Sequence, residues 1–410
     1  PMAAAPFPVP VARKHPLRNP LFRLLWTGST ISAAGDQFYF VAMPWLVLGL
    51  TGSSIALGTI GMVGAIPRAG LMLLGGAVTD RVSPRRIMML TASARAVLVA
   101  TVAALLWAHG LHLWELYVLA LCFGMADAFA APAAQTFMPS LVEADQLPAA
   151  QSVFQSTSQI TTLVAPGPAG LFIKAFGTAW AFFIDAVSFL FILGALWKLP
   201  DPPRPAATAV ARRNMLQSIG DGLRYVKADV ALRSLMLVVA VLNFAIAGPV
   251  SLGLAWIAKK SFGTPSALGL LMSCLAAGSL VGMLLAGLVK HRRRGRTLLL
   301  VATVIGVCLM PMGLLHRLWS LGAVLCLMSV AAAFLNVQLI AWFQQQVERP
   351  MMGRVMSVLM FSSLGLMPIS LAIAGVAIRV SLEGMFLVAG ATVLVVTLLA
   401  AMHRVVREID

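Results

Sequence analysis

Apolar stretches of helix-spanning length, each closed by a short polar or basic connector, recur twelve times along the chain. A hydrocarbon core of about 30 Å is crossed by roughly 20 helical residues. The pattern therefore predicts membrane spans near 20–48, 55–78, 87–108, 114–138, 151–173, 179–199, 232–258, 266–289, 297–315, 319–343, 354–378 and 382–402. Between the sixth and seventh, "KLPDPPRPAATAVARRN" is Pro-rich and polar, which reads as a linker and divides the spans six and six. Beyond it, Leu216, Ile219, Leu223 and Val226 recur three or four residues apart, the spacing of an amphipathic helix lying on the membrane face. The expected organisation is a cytosolic tail over 1–19, a six-helix bundle over 20–199, a linker with its amphipathic helix over 200–231, a second bundle over 232–402 and a tail over 403–410. The Pro-broken start lacks the apolar core of a cleaved signal peptide.

Composition agrees: 60% of residues are hydrophobic and 11% charged, with mean hydropathy +0.91, too apolar for one soluble core. The net charge of +16 is topology, not a nucleic-acid surface, because the basic residues punctuate apolar runs instead of sharing a polar face. With both termini inside, 23 of the 30 Lys and Arg fall in cytoplasmic segments, as the positive-inside rule requires. All nine Trp lie near span ends, at headgroup depth. His109 and His112 share a short loop with no metal-ligand companion, and Cys122, Cys274, Cys308 and Cys326 lie in apolar runs without paired spacing, so neither a metal site nor a cofactor is expected.

The two halves repeat. Residues 56–91 laid over 267–302 align Gly76 with Gly287 and the basic loop at Arg81 with that at Arg292, and Val142, Glu143, Ser152 and Val153 align with Val347, Glu348, Ser357 and Val358. Duplicated bundles related by an axis along the membrane normal suit rocking about a site between them. In "GGAVTDRVSPRR", Gly76, Asp80, Arg81, Arg85 and Arg86 resemble the signature that the major facilitator superfamily carries between its second and third spans, with one extra residue before the basic pair. "ISAAGDQFYFVAMPWLVLGLTGSS", "FFIDAVSFL", "GLRYVKADVALRSLM" and "GRVMSV" are similar to its macrolide-efflux and siderophore-export branch, twelve-span drug:proton antiporters. "PGPAG", with Gly167, Pro168 and Gly170, resembles a shortened antiporter motif. The resemblance implies an all-α membrane protein of twelve transmembrane helices in two six-helix bundles related by pseudo-twofold symmetry. It further implies a monomer of the bacterial inner membrane that exports an amphipathic small molecule in exchange for protons. In the signature, Gly76 permits close helix approach, while Asp80 facing a helix N-terminus, and the arginines facing carboxylates or lipid phosphates, would latch the bundles on the cytoplasmic side.

Ionisable groups inside spans are expensive and so mark function. Asp36, Arg68, Arg95, Asp127 and Asp185 all fall in the first half. Asp36 is the first candidate for proton coupling, since the superfamily lines its cavity with spans 1, 4, 7 and 10. Asp127 comes second, at a depth matching Arg68; a permanent ion pair is the competing role for both. Arg95 and Asp185, on spans the superfamily places at the periphery, are expected to be structural. Phe38, Tyr39, Asn243, Asn336, Gln338 and Phe343 are the candidate cavity lining. A lipid or lysolipid flippase and a nutrient symporter are the alternatives on this scaffold, and a non-transporting receptor the alternative outside it. No phosphate loop, "HExxH" pair or Ser-His-Asp arrangement with supporting context points to an enzyme.

Overall fold

A computed structural model describes residues 15–79, 82–201, 224–227, 229–288, 294–347 and 349–403. Its first half comprises α1 (Pro20–Thr51), α2 (Ser54–Thr79), α3 (Pro84–Trp107), α4 (Leu113–Phe137), α5 (Leu147–Val164), α6 (Pro166–Phe176) and α7 (Thr178–Lys198). The second comprises α8 (Val230–Ile257), α9 (Pro265–Leu288), α10 (Arg294–Leu309), α11 (Leu318–Gln346), α12 (Arg349–Leu364), α13 (Met367–Val380) and α14 (Leu382–Met402). No strand occurs among the described residues. Nine of the helical stretches among them are long and apolar enough to cross a bilayer. The chain is a multi-pass membrane protein.

The three remaining spans differ for physical reasons. In α1, Thr27, Ser29, Thr30, Ser32, Asp36 and Gln37 dilute the apolar run. Spans 5 and 11 are not the continuous helices expected from hydropathy. Span 5 breaks at Ala165, where Pro166 removes an amide donor and clashes with the preceding turn, and span 11 breaks at residues 365–366, before Pro368. The twin breaks occupy equivalent places in the two halves. Of the predicted amphipathic helix only the turn at 224–227 is described, with Val226 buried in the core; Leu216, Ile219 and Leu223 lie outside the described residues. At the start of α4 the His112 main-chain N–H donates to Glu115 Oε2 (2.8 Å).

Packing repeats as well. α2 lies along α4, and α9 along α11; α1 and α3 both pack on α7, and α8 and α10 both pack on α14. Glycine sets the α2–α4 approach: a β-carbon on Gly124 would overlap the Gly64 carbonyl and come within 2.9 Å of Pro67 Cγ. The α9–α11 approach uses Gly278 and Gly282 in the same manner, against the carbonyls of Cys326 and Val330. Such small-residue contacts are the usual means by which helices pack closely in lipid. Gly124→Ala is expected to destabilise the first bundle by about 2 kcal/mol through overpacking, read as a lowered melting temperature of the purified protein.

Between the bundles, contact is concentrated on one side. Taking the near face as the one where α1 begins, α2 packs along α13 and α9 along α6, both on the far side of the breaks, whereas α2 meets α12 only sparsely. Ser54 Oγ donates to the Gly375 carbonyl (2.8 Å), and Gly58 packs directly on Gly375. Gly170 packs in the same way on the Pro265 backbone, where a β-carbon would lie 2.6 Å from the carbonyl oxygen. Toward the near face, Gln151, Ser152, Gln155, Ser156 and Ser158 of α5 are exposed. The bundles are thus closed on the far face, and a polar face of α5 is accessible nearer the termini.

Candidate functional site

The five intramembrane charges converge. Asp127, on α4, forms ion pairs with Arg95 of α3 and with Arg68 of α2, the latter at 3.8 Å. Their equal depth follows from α2 and α4 running in the same direction side by side. The Arg95 guanidinium also lies 5.0 Å from the Phe123 ring centroid and 6.0 Å from that of Phe189, which encloses it with aromatic faces. Asp36, on α1, interacts electrostatically with Arg95. Its Oδ1 is buried and accepts no hydrogen bond. Asp185 is fully buried on α7 behind Gly35.

Two cavities meet at this cluster. A charged chamber of about 320 Å³ within the first bundle is lined by Ser32, Asp36, Arg68, Thr91, Arg95 and Asp127, among others. A second cavity, of about 410 Å³, lies between the bundles. Its walls are mostly apolar, with Phe40 and Met43 of α1, Phe123 of α4, Met272 of α9, and Met367 and Leu371 of α13; Gln37 and Thr162 add polar groups. Arg68 and Asp127 line both cavities. The ion pair is therefore the wall shared by an apolar, inter-bundle cavity and a chamber of titratable groups.

Not every residue picked from the sequence sits there. Tyr39 lines the inter-bundle cavity and stacks on Phe123 with centroids 4.5 Å apart. Phe38 instead packs edge-on against Phe172 of α6. Phe343 is fully buried beside Trp342, and Gln338 donates to the Ala286 carbonyl (2.9 Å), tying α11 to α9. Asn243 and Asn336 line a separate cavity of about 240 Å³ inside the second bundle, where Asn243 donates to Ser363 Oγ (3.1 Å). These five residues leave the expected cavity because residue type on an apolar helix does not reveal which face turns inward. Arg95 departs in the other direction: it is central, not peripheral. Where the first bundle has Arg68, the second has Ser279, hydrogen-bonded to Ser329 (2.7 Å).

The basic signature is only partly described. Gly76 falls within α2, and Asp80 and Arg81 lie outside the described residues. Arg85 Nε donates to the Leu196 carbonyl, and its Nη2 to that of Trp197 (2.9 Å). Arg85 and Arg86 each pair with Asp201 at 3.8 Å. Both arginines therefore serve the C-terminal end of α7 within their own bundle, where cations complement the exposed carbonyls. In "PGPAG", Gly170 and the Pro166 carbonyl meet Pro265 and Gly269 of α9, Gly167 approaches Ser273, and Pro168 is exposed. The motif is an inter-bundle contact. On the far face Lys259, in the π-helical segment Ala258–Phe262 after α8, reaches across to α1, its Nζ 4.0 Å from the Trp45 ring centroid.

Comparison with known proteins agrees with this architecture. A family described as transmembrane secretion effector matches residues 12–410. The multidrug efflux pump Tap of Mycolicibacterium fortuitum is 29% identical, over 96% of this chain and 98% of its own. Macrolide efflux protein A of Streptococcus pyogenes is 25% identical, over 95% and 97%. Among solved structures, the nucleoside transporter NupG superposes with a TM-score of 0.73 at 12% identity, over 93% of this chain and 98% of that one. A bacterial homologue of the iron transporter ferroportin, in an inward-facing state, gives 0.69 at 17%, over 95% and 100%. At these identities the two structures establish the fold and nothing about cargo.

Proposed function

We propose, for a chain that belongs to the transmembrane secretion effector family of the major facilitator superfamily, that it exports amphipathic, drug-like molecules in exchange for protons by alternating access. One observation carries this reading: Arg68 and Asp127 stand between the apolar inter-bundle cavity and the chamber that holds Asp36. A ligand entering the first cavity touches the same ion pair whose charge balance depends on protonation in the second, so one occupancy can bias the other. Asp36 is the coupling carboxyl, and Arg95 is the counter-ion shared between it and Asp127. The efflux names of both relatives support export, and a macrolide is the first cargo to test.

We place the near face in the cytoplasm of a bacterial inner membrane, with both termini there, because the basic connectors fall on that side. The protein works as a monomer, with lipid phosphates and Asp201 competing for Arg85 and Arg86 as the bundles rock. In a drug-sensitised bacterial host, expression is expected to lower macrolide accumulation, and a protonophore to restore it. Accumulation that stays low under the protonophore would refute proton exchange.

Alternating access requires the far-face contacts to break. Loss of the Lys259–Trp45 contact in Lys259→Ala is expected to shift the equilibrium toward far-face opening by about 1 kcal/mol, several-fold in population. Spin labels placed at the far ends of α1 and α8 would report it as growth of a longer-distance component. An unchanged distance distribution would remove Lys259 from the gate.

A further inference from the structure

Asp185 has no part in the coupling just described, yet its setting is unusual for a residue that only packs. Its side chain is inaccessible, and neither carboxylate oxygen receives a hydrogen bond. The nearby Ser188 hydroxyl donates to the Asp185 main-chain carbonyl (2.7 Å) instead. α7 packs on α1 and α3, and the groups whose charges reach Asp185 come from those two helices: Asp36 and Tyr39 from α1, and Arg95 from α3. Gly35 makes the proximity to α1 possible, since its missing β-carbon would lie 3.0 Å from Asp185 Oδ1. Asp36 is the next residue, facing the charged chamber.

The charges around the chamber do not balance. Arg68 and Arg95 are both held by Asp127, a trio with one surplus positive charge. Asp36 and Asp185 would together bring two negative charges if both were ionised. In a low-dielectric interior an uncompensated charge is removed by taking up a proton, so the five groups are neutral when these two carboxyls share one proton. Of the two, Asp185 is the inaccessible one, and Asp36 lines the chamber.

We infer that Asp36 and Asp185 form a two-carboxyl proton site in which Asp185 is the buried member and exchanges its proton with the chamber through Asp36. In the exchange, the Asp185 O–H bond breaks as the proton passes to the Asp36 carboxylate, and the negative charge moves to Asp185. Asp36 then releases the proton to solvent in the chamber, and the reverse sequence reloads the site. The inference rests on the reading of Asp36 as the coupling carboxyl.

Acid-minus-alkaline infrared difference spectra of the full-length protein in liposomes test it without a cargo. The wild type is expected to show protonated-carboxyl C=O intensity, Asp36→Asn and Asp185→Asn each to lose part of it, and the double variant to lose the contribution of both. An Asp185→Asn spectrum matching the wild type overturns the two-carboxyl site, and leaves the Asp36 reading standing if Asp36→Asn still loses intensity. An Asp36→Asn spectrum matching the wild type overturns both. Should Asp185→Asn fail to assemble, Asp185→Glu serves: its band must move in frequency, and an unmoved spectrum overturns the site.

Discussion

Asp36→Asn is expected to lower pH-gradient-driven macrolide export by roughly a hundredfold, the scale of losing a positioned proton-transfer group, while leaving energy-independent macrolide counterflow intact. The amide matches the carboxyl in shape but cannot take up or release a proton. Asp36 lines the charged chamber and not the inter-bundle cavity, so the ligand's own contacts are preserved. Everted vesicles with and without an imposed gradient separate the two activities. Loss of counterflow together with driven export would mean that Asp36 holds the cavity together and does not couple it.

The second large effect concerns stability. Arg95→Met is expected to destabilise the protein by about 3 kcal/mol, because removing one partner leaves buried carboxylate charge uncompensated. Arg95 has only 13% of its side chain exposed, and its partner Asp127 has 26%. Thermal unfolding of the detergent-solubilised protein measures the loss. Adding Asp36→Asn to Arg95→Met should recover a large part of it, since Asp127 keeps Arg68 as a partner and the carboxylate left without its Arg95 counter-ion is then gone. If the two substitutions prove additive, Arg95 and Asp36 are not an energetic unit.

Much of the fold could be read from run lengths alone, since every predicted span corresponds to a helix or to a pair of helices in line. The breaks at Ala165 and at residues 365–366 were hidden because hydropathy continues across them. Their prolines, Pro166 and Pro368, were the available signal, and the first of these was read only as part of a family motif. The equal depth of Arg68 and Asp127 was legible from two helices running the same way, but that their faces meet was not. The positions of Arg95 and Asp185 were not, because each depends on how α3 and α7 rotate against α1, which packing decides. One clue stood in the chain: Gly35, immediately before Asp36, allows α7 to come close. The second bundle was harder still, for Asn243, Asn336, Gln338 and Phe343 satisfy hydrogen bonds or packing within that bundle, and nothing in one apolar helix marks its inward face. Met43, Met272 and Met367 line the inter-bundle cavity but are lost among the chain's 22 methionines.

Proton exchange is tested most directly in liposomes that contain the purified protein and a pH-sensitive dye in the lumen. An outward macrolide gradient is imposed in the absence of any pH gradient. Macrolide leaving the lumen should draw protons in, acidifying it in the wild type and leaving the dye silent in Asp36→Asn. Macrolide efflux from wild-type liposomes at constant lumenal pH would contradict exchange and identify a facilitator instead.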